Sequence, residues 1–317
     1  MIFESIPKVN DSFKKSYELV VLNNSVEAAL LDIPKNHISL IISSPPYNIG
    51  KVYEKQVSLD EYLTWQKEVI KNLVDRLTPT GSICWQVGNY IENGEVFPLD
   101  IYFYRIFKEL GLQLRNRIIW HFDHGLHAKN RCSGRYETIL WFTKSKDYVF
   151  NLDPIRIPSK YPGKLNYKGK NKGLPSGNPL GKNPSDFWVA RTNEWENGIF
   201  EIPNVKANHP EKTMHPCQFP VELVERCILA LTNENDWVLD PFGGVGTVLI
   251  ASTKHKRKAI SIDKEKDYCK LAAQRVIDFY EGRLNIRPIG KPVHQPSGRE
   301  KVSQIPELWN QIEERKK

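Results

Sequence analysis

Seven short runs of the chain are apolar almost end to end: YELVVLN from Tyr17, HISLIISS from His37, GSICWQVG from Gly81, LRNRIIWHF from Leu114, YETILWFTK from Tyr136, DWVLDPF from Asp236 and KAISID from Lys258. Most are continuous rather than alternating, as strands covered on both faces require. Between them the period changes. In SLDEYLTWQKEVIKNLVDRL, Tyr62, Trp65, Val69, Leu73 and Leu77 fall on one helical stripe, and Ser58 or Asp60 can cap its start. PVELVERCILALT and EKDYCKLAAQRVIDFY repeat the pattern. This alternation predicts a doubly wound, largely parallel α/β sheet. No helical stretch separates LRNRIIWHF from YETILWFTK, so those two are expected to pair antiparallel.

Composition changes this picture little. The chain has 317 residues and 40% hydrophobic content, enough for a full α/β core. No run approaches a membrane span, and the first residues lack an apolar signal core, so a cytoplasmic protein without a membrane association is expected. Cys84, Cys132, Cys217, Cys227 and Cys269 show no paired spacing and read as reduced thiols. In HFDHGLHAKNRC, the spacing of His121, His124, His127 and Cys132 fits no common metal site, so no metal is expected there. With Lys129, Arg131 and Arg135 behind it, the loop reads instead as part of a nucleic-acid-facing surface.

Charge is more informative, because of where it sits. The formal net charge is +8, and Pro154 to Ser185 contains no acid but holds Arg156, Lys160, Lys164, Lys168, Lys170, Lys172 and Lys182. Gly, Pro and Asn crowd the same stretch, which predicts loops. Two readings are open, a solvated basic loop or a surface that neutralises phosphates. Tyr161, Tyr167, Phe187 and Trp188 favour the second, since aromatic rings offer stacking faces to bases.

Two motifs carry chemistry. In WVLDPFGGVGTVLIAS a strand ends at Asp240, Pro241 and Phe242 follow, then Gly243, Gly244 and Gly246, and a helix starts. Such a bend lets a nucleotide-like ligand approach bare backbone. It is not G-x-G-x-x-G, and an acid in the turn repels a pyrophosphate but suits a cation such as S-adenosylmethionine. Asp263, at the next strand end, can accept both hydroxyls of a ribose. The second motif, ISSPPYNIG, ends a strand with two prolines that cannot donate to a ladder. Their rigid turn can aim the carbonyl of Pro45 and the hydroxyl of Ser44 at the two N–H bonds of an amino group. The ring of Tyr47 adds a flat face beside them.

SPPYN together with DPFGGVGT resembles the DNA amino-methyltransferase family, in the motif order of its β group, over nearly the whole chain. The resemblance implies a seven-stranded, Rossmann-like S-adenosylmethionine-dependent methyltransferase sheet with a reversed last hairpin and an inserted, loop-rich target-recognition region. It divides the chain into a catalytic half at residues 1–150, a target-recognition region at 151–208, a cofactor half at 209–286 and a C-terminal tail at 287–317. It makes Ser44, Pro45, Pro46 and Tyr47 the catalytic tetrapeptide. Asp240, Pro241, Phe242, Gly243, Gly244, Gly246 and Asp263 fall to the cofactor S-adenosyl-L-methionine, as do His215 and Cys217 of HPCQFP, where relatives often carry HPTQKP. Asn24 stands where relatives show an acid near the adenine.

The basic residues from Arg156 to Lys182 become contacts to double-stranded DNA. Serine at the first tetrapeptide position favours cytosine N4 as acceptor, with adenine N6 the alternative, and a cognate restriction endonuclease is an expected companion. A nicotinamide-dependent oxidoreductase would leave SPPY unexplained, and a non-catalytic nucleic-acid-binding protein would leave the cofactor loop idle.

Overall fold

The structure, a computed structural model, describes residues 9–48, 56–122, 125, 127–189, 202–206, 209–291, 293, 299 and 304. The strands are β1 (Val9–Asn10), β2 (Leu19–Asn23), β3 (Ile38–Ser43), β4 (Leu77–Val87), β5 (Asn89–Glu92), β6 (Glu95–Pro98), β7 (Gln113–His121), β8 (Tyr136–Thr143), β9 (Phe187–Val189), β10 (Trp237–Asp240) and β11 (Lys258–Asp263). The helices are α1 (Val26–Ala29), α2 (Leu59–Arg76), α3 (Leu99–Glu109), α4 (Val221–Leu231), α5 (Thr247–Lys254) and α6 (Lys266–Tyr280).

Among the described residues, nine strands form one sheet in the order β1-β2-β11-β10-β3-β4-β8-β7-β9. All seven expected strands are present. The two additions are short edge strands, β1 beside β2 and β9 beside β7, of two and three residues. The sheet is parallel except for β8, which runs antiparallel to both β4 and β7. The expected reversed hairpin is therefore β7–β8.

Successive residues of a strand feed opposite apolar layers. Leu19, Val21, Leu40 and Ile42 pack with Val224 and Ile228 of α4, Val248 of α5 and Val276 of α6. Val20, Leu22 and Ile41 pack with Val26 of α1, Val69 and Leu73 of α2, and Phe103 and Phe107 of α3. A strand buried on both sides has no polar face to alternate with, hence the continuous apolar runs. Each fully buried Leu, Ile or Phe contributes about 1.5–3 kcal/mol.

Ser58, not Asp60, caps α2: its Oγ accepts from Glu61 N at 3.3 Å, and the Glu61 carboxylate accepts from Ser58 N at 3.1 Å. Tyr62, Val69 and Leu73 face the core as expected. Leu77 is buried too, but as the first residue of β4. Trp65 packs half-buried at the edge of that core, and its Nε1 donates to Glu27 at 2.5 Å.

The basic segment is loop-rich, as its composition requires. Isolated bridges pair Ile157 with Lys182 and Leu165 with Pro175, and buried Ile155 and Ile157 anchor the segment to the sheet. Trp188 does not offer the stacking face expected of it: it is 6% exposed and joins that core, because β9 lays it against β7. Past α6, Arg287 is buried against Glu222 at 2.7 Å, while its N–H donates to Glu211 at 3.0 Å. Most of the tail expected beyond it lies outside the described residues. Among the described residues no helix is long and apolar enough to cross a membrane.

Candidate active site

Strands β3 and β10 are parallel neighbours, with Leu40 opposite Val238 and Ile41 opposite Leu239. Beyond β10 the sheet continues with β11 and β2, beyond β3 with β4, so the crevice between them is a switch point where ligands of open α/β sheets collect at the strand C-termini. The two sequence motifs are the loops that leave these two strands. Their contact is direct: Ser43 Oγ donates to Asp240 Oδ1 at 2.6 Å.

On the β3 side the turn is tied from several directions. Tyr62 OH donates to the carbonyl of Pro46 at 2.6 Å. Asn48, at φ 59°, brackets Val57 with both ends of its amide, donating to the carbonyl at 2.7 Å and accepting from the N–H at 2.9 Å. Pro45 is buried, and among the described residues no group donates to its carbonyl. Ser44 Oγ lies 3.1 Å from Tyr47 OH.

On the β10 side the bend is made of close approaches. A Cβ at Gly243 would stand 1.8 Å from Ser261 Oγ, and at Gly244, where φ is +50°, 3.4 Å from the His215 ring. Gly244 N donates to Asp263 Oδ2 at 2.9 Å, and Glu265 N to Oδ1 at 2.8 Å. His215 Nδ1 accepts from Cys217 N at 3.2 Å, and its ring meets that of Tyr268 edge-on at 4.7 Å.

One cavity of about 740 Å³ joins the two sides. Ser44, Pro45, Pro46 and Tyr47 line it together with Pro241, Phe242, Gly243, Gly244, Asp263, His215 and Cys217. Two expected residues are not on its wall. Asp240 is 1% exposed beneath the loop, where its Oδ1 accepts from Ser43 Oγ and Phe242 N, so any effect on a cation is exerted through the loop. Gly246 caps α5 at φ 76° and abuts Ala272. Burial, and then the charge of Asp263, push the Asp240 carboxyl up to about 7, while burial also raises Asp263. His215 falls to about 4, through burial first and Lys212 second. Asn24 lines the same cavity, and its Oδ1 accepts from Ser25 N at 2.9 Å.

A family model described as DNA methylase matches residues 38–274. The chain belongs to the DNA methylase family. It is similar to the Type II methyltransferase M.BglII of Bacillus subtilis, 46% identical over 273 residues that cover 86% of this chain and 72% of the relative. It is also similar to the DNA adenine methyltransferase YhdJ of Escherichia coli K12, 32% identical with 81% and 82% covered. In fold it resembles the solved PvuII DNA methyltransferase (cytosine-N4-specific), with a TM-score of 0.61 at 20% identity over 94% of this chain and 97% of that one.

In this DNA methyltransferase the expected DNA-contacting residues lie apart from the cavity. Lys160, Lys164, Lys168, Lys170, Lys172 and Lys182 are exposed. Arg156 is not available in the same way. It pairs with Asp153 at 2.6 Å and donates to the Gly181 carbonyl at 3.1 Å, which ties the segment's two ends together. In the histidine loop, His121 stacks on Phe187 at 6.3 Å, His127 Nδ1 lies 3.4 Å from Arg135, and Cys132 is exposed. His124 lies outside the described residues, and among those described no group of three His, Cys, Asp or Glu side chains gathers as a metal site.

Sequence reasoning passed over two residues of the cavity wall, Gln86 and Glu137. Gln86 Nε2 donates to Glu137 Oε2 at 2.5 Å, and Tyr47 OH donates to the same oxygen at 3.3 Å. The signal was an amide and a carboxylate side chain within two largely buried strands, where burial demands a partner.

Proposed function

We propose that this DNA methyltransferase transfers a methyl group from S-adenosyl-L-methionine to the exocyclic amino group of a base turned out of duplex DNA, with cytosine N4 as the acceptor. The observation that supports it best is the single cavity walled on one side by Ser44–Tyr47 and on the other by Gly243, Gly244 and Asp263. The residues fit such a cofactor. Gly244 presents bare backbone beside His215 on the cavity wall, and the Asp263 carboxylate retains lone pairs for ribose hydroxyls. S-adenosyl-L-methionine supplies an electrophilic methyl group on a sulfonium.

The protein supplies position and polarisation. An exocyclic amine is a poor nucleophile because its lone pair is delocalised into the ring. Ser44 Oγ and the carbonyl of Pro45 accept from its two N–H bonds and draw the lone pair out, held in place before the reaction begins. Tyr47 offers a stacking face that replaces part of the energy lost when the base leaves the duplex. The exposed lysines from Lys160 to Lys182 contact phosphates. Residues 1–150 and 209–286 serve as catalytic and cofactor halves, 151–208 as the target-recognition region and 287–317 as a tail. Similarity to Type II methyltransferases supports a cytoplasmic role in restriction-modification beside a cognate endonuclease.

Ser44 supports cytosine. Adenine N6 is the second reading, favoured by the similarity to an adenine methyltransferase. Duplex DNA incubated with the protein and S-adenosylmethionine bearing a deuterated methyl, then digested for nucleoside mass spectrometry, is expected to yield labelled N4-methylcytosine. Labelled N6-methyladenine would reverse the choice of base, and no label would overturn the activity. Ser44→Ala combined with Tyr47→Ala is expected to abolish labelling while DNA binding persists.

A further inference from the structure

An amino nitrogen that accepts a methyl group becomes positively charged and must release a proton. The cavity contains a row of oxygens suited to receive it. Tyr47 OH donates to Glu137 Oε2 at 3.3 Å, so the 3.1 Å contact between Ser44 Oγ and Tyr47 OH is donated by Ser44. With its own proton aimed at Tyr47, Ser44 Oγ presents only lone pairs to an amine.

We propose that Ser44, Tyr47 and Glu137 form the exit path for the proton displaced by methylation. This path rests on the methyl-transfer reading above. As the amine lone pair forms the N–C bond, the sulfonium C–S bond breaks and leaves its electron pair on sulfur. The methylated nitrogen passes one proton to Ser44 Oγ, Ser44 passes its own to Tyr47, and Tyr47 passes its own to Glu137. The base, Ser44 and Tyr47 end neutral, Glu137 ends as a carboxylic acid, and solvent restores the carboxylate after product leaves.

Further observations fit. Gln86 Nε2 holds the accepting oxygen at 2.5 Å, and Glu137 Oε1 makes no hydrogen bond among the described residues, so a second face of the carboxylate remains. Gly88 leaves room for the pair: a Cβ there would lie 3.2 Å from the Tyr47 ring and 3.5 Å from Glu137 Cγ. Burial raises the Glu137 carboxyl above its ordinary range, toward the value that a proton acceptor at neutral pH needs. Tyr47 is raised well above its ordinary value, by burial first and Glu137 second, so it relays a proton without existing as a phenolate. The groups facing this pair are Gln86 from β4, Trp120 opposite Glu137 on β7, Lys206, whose charge lowers Glu137, and Tyr62 and Cys217 near Tyr47.

The test is the single-turnover methylation rate of the full chain on duplex DNA with saturating S-adenosylmethionine, between about pH 5 and 9. Wild type is expected to lose rate as pH falls, with an inflection above the ordinary glutamate range. Glu137→Gln should slow transfer by about 10²-fold and remove that inflection, with cofactor and DNA affinities retained. Tyr47→Phe keeps the ring but cuts the path, so it should do the same. The double variant should fall little further than either, because both act in one path. Should Glu137→Gln not fold, Tyr47→Phe decides. A Tyr47→Phe enzyme with the wild-type rate and profile, or a Glu137→Gln enzyme that keeps the inflection, overturns the path while leaving the methyl-transfer reading intact. Wild type that transfers no methyl at all overturns both.

Discussion

The turn and bend at the ends of β3 and β10 differ from the basic segment 154–185 in how tightly each atom is held. Around Tyr47, the carbonyl of Pro46, both ends of the Asn48 amide and the tyrosine hydroxyl are each engaged, and Gly243 leaves no room for a methyl group. The basic segment is pinned near its ends by Ile155, Ile157 and Arg156 and closed on itself by two isolated bridges, with Tyr161 at 67% and Tyr167 at 76% exposure. Chemistry on an amine demands acceptors fixed before reaction, since reorganisation during the step would raise the barrier. Neutralising phosphates demands charge within reach and tolerates motion.

The tight region is where a single methyl should matter most. Gly243→Ala would drive its Cβ to 1.8 Å from Ser261 Oγ and 3.0 Å from Ser261 Cβ, and Ser261 is itself buried on β11. The expected cost is about 1–3 kcal/mol of stability, seen as a lower urea midpoint, together with a loss of S-adenosylmethionine affinity in calorimetry. Adding Ser261→Ala removes the nearer clash and should recover part of the stability. A Gly243→Ala protein with unchanged midpoint and affinity would mean that the bend is looser than its contacts imply.

The acid beneath the bend shows its effect through pH. Asp240 titrates at about 7 in the folded protein against an ordinary aspartate value of 3.8, because burial favours its neutral form. A raised carboxyl contributes stability that is complete below the unfolded value and is lost as pH rises toward the folded one. Relative to Asp240→Asn, which cannot ionise, the protein without cofactor should therefore lose about 1.4 kcal/mol per pH unit through that window, then level off. Urea midpoints of both proteins across the window measure the difference. A flat difference would show that Asp240 is already ionised in the folded protein, which would strengthen its expected role toward a cation.

What could be read from the chain follows the same division. The seven main strands were legible because burial on both faces leaves continuous apolar runs, and the paired motifs were legible because prolines and glycines mark backbone that must do something unusual. The β5–β6 hairpin was not recognised, although Asn93 and Gly94, at φ 50° and 85°, are a two-residue turn signal. Helix α3 was passed over too, although Leu99, Phe103, Ile106 and Phe107 repeat at helical spacing. Edge strands β1 and β9 are too short to leave a period. Glu137 and Gln86 were hidden for a different reason. Each is a polar letter among others in its strand, and only the antiparallel pairing of β4 with β8, which sets Gln86 opposite Ile139, brings the two near Tyr47. Charge was the easiest property to see and the least able to assign roles: Arg156 and Lys170 look alike in sequence, yet one is bound into the segment and the other is exposed.

That last pair gives the most delicate test of the contrast between position and charge. Replacing Lys168, Lys170 and Lys172 together by Ala should weaken duplex DNA binding by about tenfold at moderate salt and reduce the slope of log affinity against log salt by up to about 0.9 per lysine. The methylation rate at saturating DNA should change little, because none of the three lines the cavity. Arg156→Ala removes the same formal charge but from a side chain already paired with Asp153 and the Gly181 carbonyl. Its salt slope should match wild type, and its cost should appear as a stability loss below about 1 kcal/mol, since Asp153 is largely exposed. An Arg156→Ala protein whose slope falls as far as that of a single lysine variant would mean that the guanidinium leaves Asp153 when DNA arrives. The segment would then reorganise on binding, and the division between a fixed site and a movable surface would run through Arg156 itself.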